Sequence, residues 1–136
     1  MPNIYITHRK MFNEEGVMLG FGGIEKYIVD LAACLSNVGY QVVIVQPDKC
    51  DYRISLQNYS VLGVKNRLLR GNLKKYALFN KVKKISNPED IVIFASDSYS
   101  VPSTNIRTIS IQHGVSWDKP RKSKSRFIQF FDSGFR

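Results

Sequence analysis

Cysteine is scarce: the chain carries two, in no CxxC spacing and with nothing that suggests a metal or redox site. Cys34 falls on the apolar side of a predicted helix and Cys50 in a loop. Both read as free thiols, Cys34 as a small core residue. Long apolar runs are missing as well. None approaches the roughly 20 residues that cross a bilayer. The first residues, Met1-Pro2-Asn3-Ile4-Tyr5-Ile6, lack the basic start and small-residue cleavage site of a secretory signal. These absences lead us to expect a cytoplasmic protein.

Two nucleotide signatures are absent. G-x-G-x-x-G counted from Gly20 would need glycine where Glu25 stands, and no Gly-Lys-Ser/Thr makes a P-loop. Helix-turn-helix spacing, zinc ligands and an aromatic RNP-type strand are also lacking, which leaves nucleic acid a weak candidate partner. Acidic residues are the last shortage. Eleven stand against twenty Lys and Arg, giving a net charge of +9 and a pI near 9.7. Such a balance favours an anionic partner: phosphorylated substrate, acidic membrane face or nucleic acid.

What is present is an ordinary globular mix, 43% hydrophobic and 23% charged, in a chain long enough for one domain with a real core. Ile4-Tyr5-Ile6 reads as a strand within residues 3–8, entering a loop to about residue 21 that contains Gly16 and Gly20. Ile24, Tyr27, Ile28, Leu31, Leu35 and Val38 follow the spacing of an amphipathic helix, and Gly39 stands where a C-terminal cap is expected. Residues 41–46 are β-branched and continuous, as in a strand buried on both faces. Strand, loop, helix, glycine and buried strand make a βαβ unit. Further strands are expected at 59–64, 91–95 and 107–112, a basic helix at 72–85 and another helix from about Ser123. The alternation predicts an α/β fold, a Rossmann-like open and mostly parallel sheet with helices on both faces.

In such sheets ligands bind at the carboxyl ends of the strands. Two segments place suitable chemistry there. Gly22, Gly23 and Glu25 open the first helix, where unpaired N–H groups and a partial positive charge suit a phosphate; the plainer reading is a flexible loop and helix start. His113 and Gly114 follow the last strand, and an imidazole there can hydrogen-bond sugar hydroxyls or exchange protons. A lone histidine is more often a satisfied structural residue.

The run from Gly22-Gly23-Ile24-Glu25 through Leu31-Ala32 and Gly39-Tyr40 to Val42–Val45 resembles the start of family-4 GT-B glycosyltransferases. Ile111-Gln112-His113-Gly114 is similar to their strand-end His-Gly step. The resemblance covers both ends of the chain and the middle only in outline. It implies a retaining, metal-free enzyme, needing no cofactor, that moves a sugar from a nucleotide-diphosphate donor to a cell-surface glycan or lipid-linked acceptor. Gly22 and Gly23 would touch the diphosphate, Glu25 would fix the helix start or approach the sugar, and His113 with Gly114 would contact the transferred sugar. The family's second domain, which grips the nucleotide, is not represented. The expected product is therefore an incomplete amino-terminal half of a GT-B fold, inactive alone: a gene fragment, a frameshifted product or one part of a split enzyme.

Thirteen of the twenty basic residues fall in two stretches, residues 65–84 and 119–126, neither with an acidic residue. The first interleaves Leu68, Leu69, Leu73, Leu78, Phe79 and Val82 with its cations. It reads either as a membrane-surface face on an anionic leaflet or as a solvated helix packed on the sheet. A non-catalytic binding module is the alternative to the transferase.

Overall fold

The computed structural model describes residues 2–20, 22–66, 73–102 and 105–111. Among them, strands β1 (Asn3–Thr7), β2 (Gln41–Asp48), β3 (Tyr52–Ser55), β4 (Ser60–Lys65), β5 (Ile91–Phe94) and β6 (Arg107–Ser110) form one sheet in the order β3-β4-β2-β1-β5-β6. All neighbours are parallel except the β3–β4 pair. The chain leaves β1 toward β2 and β4, then returns to the other side for β5 and β6. This is a doubly wound α/β arrangement, consistent with a Rossmann-like open sheet, and its order reverses beside β1.

Helices α1 (Gly23–Asn37) and α2 (Lys74–Ile85) cover opposite faces. Ile28 and Ala32 of α1 pack with Ile4, Ile6, Val42, Ile44 and Val61. Leu78, Phe79 and Val82 of α2 pack with Tyr5, Val43, Val45, Leu62, Val64 and Val92. Alternate residues of each central strand thus serve alternate cores, which is why Ile4–Ile6 of β1 and Val42–Val45 of β2 are apolar without a break. Burying one such Val, Leu or Ile side chain is worth about 1.5–3 kcal/mol.

The first helix ends as its sequence leads one to expect. Tyr40 donates its N–H to the Leu35 carbonyl at 3.1 Å and Gly39 to Ser36 at 3.0 Å, a Schellman motif, and Gly39 supplies the positive φ of 110° that it requires. Its apolar stripe is narrower than the periodicity suggests. Tyr27 and Val38 are exposed. So is Cys34, which corrects the expectation of a core thiol: at 100° per residue it sits about 200° around the helix from the buried Ala32.

The basic helix packs Lys75, Leu78, Phe79 and Val82 inward, the i, i+3, i+4, i+7 stripe. Its apolar residues are therefore spent on the sheet, leaving Lys83 and Lys84 exposed and Lys81 half-buried. No helix among the described residues is long and apolar enough to cross a membrane. The helix expected from Ser123 lies outside the described residues.

β3 has no counterpart among the strands expected from sequence. Tyr52 and Ile54 alternate with Arg53 and Ser55, the mark of a half-exposed edge strand, but four residues flanked by polar loops make a weak signal. Tyr52 lies flat against Gly63 of β4, where an added Cβ would collide with the tyrosine ring. We predict that Gly63→Ala destabilises the fold by about 1–3 kcal/mol. Chemical denaturation should show a much smaller loss for the same change in a Tyr52→Ala background; equal losses would show that the ring is not the obstacle.

Candidate functional site

Because the strands other than β3 run parallel, their carboxyl ends share one edge, and both helices begin there. The loop between β1 and α1 governs this edge, and one buried side chain governs the loop. Gln46, fully enclosed on β2, accepts hydrogen bonds at Oε1 from the N–H groups of Met11 (2.9 Å) and Phe12 (3.0 Å). Its Nε2 donates to the Phe12 carbonyl at 2.8 Å and to the Tyr52 hydroxyl at 2.6 Å. A buried amide without such partners would be costly; here all are supplied, and the loop is pinned to the sheet. Phe12 pairs with Met18 across a turn in which the Asn13 carboxamide accepts from Glu15 and Val17. The segment expected as a loop thus contains a small folded excursion.

Pinning Met11 and Phe12 fixes Arg9 and Lys10 just before them. Arg9 donates to Glu25 Oε1 from Nη2 at 2.6 Å and from Nε at 3.1 Å. Lys10 reaches Asp48 Oδ1 at 2.9 Å, and the Tyr52 hydroxyl donates to Asp48 Oδ2 at 2.6 Å. The hydrogen bond from Arg9 holds the Glu25 carboxyl below its ordinary range, with burial opposing and its own backbone N–H assisting. Burial pushes Asp48 up, but hydrogen bonds from Tyr52, Lys10 and the Lys49 backbone outweigh it and lower its pKa. Burial, with the hydrogen bond to Asp48, pushes the Tyr52 phenol well above its usual value. Both carboxylates therefore stay charged near neutrality. They are anchors for cations, not proton carriers.

The predicted site residues divide accordingly. Gly22 caps α1 in an extended conformation, and a Cβ there would come within 2.7 Å of Glu25 Oε2. A Cβ on Gly23 would meet nothing within 4 Å. Gly22, Gly23 and Glu25 are thus together at the carboxyl edge, beside open space, with Glu25 folded back against the helix start. His113 and Gly114 lie outside the described residues. The last strand, expected over residues 107–112, is seen over Arg107–Ser110, ending at this edge, where Ile111 N–H bonds to the Phe94 carbonyl at 2.9 Å.

Comparison with family models, curated proteins and solved structures finds no match. The reading of this edge therefore rests on its residues. Several were not singled out from sequence. His8 continues from β1 at the point where strand order reverses, buried, its ring centroid 5.6 Å from that of Tyr99. Hydroxyls gather after β5: Ser96 and Ser98 lie 3.0 Å apart at Oγ, and Ser100 donates to Ser110 Oγ at 2.9 Å. On the α2 side a crevice of about 450 Å³ is lined by Arg9, Lys10, Asp48, Lys49, Lys74 and Tyr99, with Pro47 and Asn66. The legible signal was His8-Arg9-Lys10 directly after a buried strand, a basic step at a ligand-binding edge.

The depressed carboxyls set an acid limit. Ordinary values are 4.5 for Glu25 and 3.8 for Asp48. A carboxyl whose folded pKa is lowered stabilises the fold above its unfolded pKa and loses that contribution as pH falls through the folded one. The melting temperature should hold from pH 7 to about 5 and fall progressively below about 4.5. Arg9 is 64% exposed on its side chain, so its share is small and Asp48 carries more. Combining Arg9→Gln with Tyr52→Phe should flatten the acid limb; an unaltered limb would mean other groups cause it.

Proposed function

We propose that the chain is the acceptor-side domain of a retaining GT-B glycosyltransferase of the family-4 kind, acting with a second domain that grips the nucleotide. The observation that carries the proposal is the start of α1. Gly22 and Gly23 are exposed at the start of α1 on the carboxyl edge of a doubly wound sheet. The space beside Gly23 is open, the Glu25 carboxylate lies against Gly22, and the helix dipole with the remaining N–H groups favours an anion on the Gly23 side. In this reading the two glycines admit the donor's diphosphate. Glu25, held ionised by Arg9, keeps the helix start in place and leaves the approach to the sugar to other groups. His113 and Gly114 would contact the transferred sugar. The donor is a nucleotide-diphosphate sugar, the acceptor a cell-surface glycan or lipid-linked sugar, and transfer needs neither metal nor cofactor.

Among the described residues of α2, peripheral attachment to an anionic membrane would rest on the exposed Lys83 and Lys84 with the half-buried Lys81, since the apolar side of the helix is buried. A non-catalytic binding module is the second reading. It is favoured by the commitment of both Glu25 and Asp48 to ion pairs, which leaves neither free to exchange protons.

Amide-resolved NMR titration of the chain with a panel of nucleotide-diphosphate sugars, carried into the millimolar range, tests the transferase reading. Gly22 and Gly23 should shift saturably with at least one donor and less with the matching mononucleotide. Gly23→Trp, at an exposed position where an added Cβ meets nothing within 4 Å, should keep the fold and weaken binding about tenfold or more. Silence at both glycines across the panel would refute the diphosphate role.

A further inference from the structure

We propose that the crevice between the β1–α1 loop and the start of α2 is a second anion site, built for a soluble phosphorylated small molecule and distinct from the glycine-lined start of α1. Four cations line it, Arg9, Lys10, Lys49 and Lys74, against one carboxylate, Asp48. Asp48 is 1% exposed on its side chain and already engaged by Lys10 and Tyr52. Arg9 is engaged by Glu25. Among the described residues Lys49 and Lys74 enter no ion pair. The crevice therefore keeps an excess of positive charge after its internal pairs are counted.

A second observation points the same way. Lys74 and Lys75 occupy the first turn of α2, and no acidic residue stands there. Cations at a helix N-terminus oppose the dipole, and folding alone would place acids in that turn. Lys75 is accounted for by its buried stem and its ammonium 5.2 Å over the Tyr76 ring. Among the described residues Lys74 has no such partner, and it lines the crevice. An anion bound between it and Lys49 would offset both the charge excess and the unfavourable dipole contact.

The volume, about 450 Å³, falls in the range of roughly 300–1,000 Å³ typical of small-molecule pockets. Tyr99 adds an aromatic wall, and Asn66 is part of the lining. That combination suits a phosphate with a sugar-sized body attached. Compact lysine ammonium groups take phosphate as point charges. The site stands without the transferase reading. Joined to it, the crevice gives the acceptor a phosphate.

NMR titration with pyrophosphate and with glucose 1-phosphate, at constant ionic strength, reads this site through the amides of Lys10, Lys49 and Asn66, separately from those of Gly22 and Gly23. Saturable shifts at the crevice amides are expected. Lys49→Gln and Lys74→Gln should each weaken binding about tenfold. Lys83→Gln with Lys84→Gln, removing two charges at the far end of α2, should leave it unchanged. Shifts that follow only ionic strength, or equal weakening by the far-end pair, would overturn the site and leave general attraction to a basic protein. Co-sedimentation with phosphatidylglycerol vesicles but no response to either soluble phosphate would also overturn it, in favour of a lipid surface. Because the glycine amides report independently, loss of the diphosphate role and loss of this site are told apart in one titration.

Discussion

The Gln46 carboxamide is the contact on which the functional edge depends. Buried on a central strand, it holds the Met11 and Phe12 backbone through three hydrogen bonds and reaches Tyr52 with a fourth. The placement of Arg9 and Lys10 at the carboxyl edge follows from that anchorage. Arg9 and Lys10 leave the chain just before the clamp, so their reach to Glu25 and Asp48 is set by where the clamp lies. Tyr52 ties the edge strand into the same network, lying against a glycine because no side chain fits beneath its ring. A buried polar network of this kind is worth having only when every member is satisfied.

Electrostatics then gives the edge its character. Both helices start there, and Glu25 and Asp48 are used to position cations. The result is a positive margin along the sheet, with an open helix start at α1 and a lysine-lined crevice near α2. The net charge of +9 is thus partly localised. Residues of the basic stretch that seemed to offer a membrane-facing helix instead divide their work: Leu78, Phe79 and Val82 form core, Lys74 faces the crevice, and Lys83 and Lys84 sit at the helix C-terminus, where the dipole favours them.

Much of the fold was legible in the sequence. The apolar spacing of α1, its Schellman glycine and the unbroken β2 each carry a local signal strong enough to stand without tertiary context. The edge strand β3 was missed because an alternation of four residues is brief. Cys34 was misplaced because helical periodicity shows a stripe but not how wide the core makes it. Of the site, Gly22, Gly23 and Glu25 were visible as a motif at a helix start. Gln46 was hidden as one more residue of a buried strand, since its partners lie 34 and 35 residues away. Arg9, Lys10, Asp48, Lys49 and Lys74 come from separate segments, and only strand register and crossover bring them together.

Hydrogen exchange at the Met11 and Phe12 amides tests the clamp most directly. If Gln46 holds the loop, both should exchange as slowly as the core amides of β2, far behind Glu14 and Glu15 in the exposed turn beside them. Exchange of Met11 and Phe12 at the rate of that turn would show that the loop is not anchored, and the ordered cationic edge would lose its foundation.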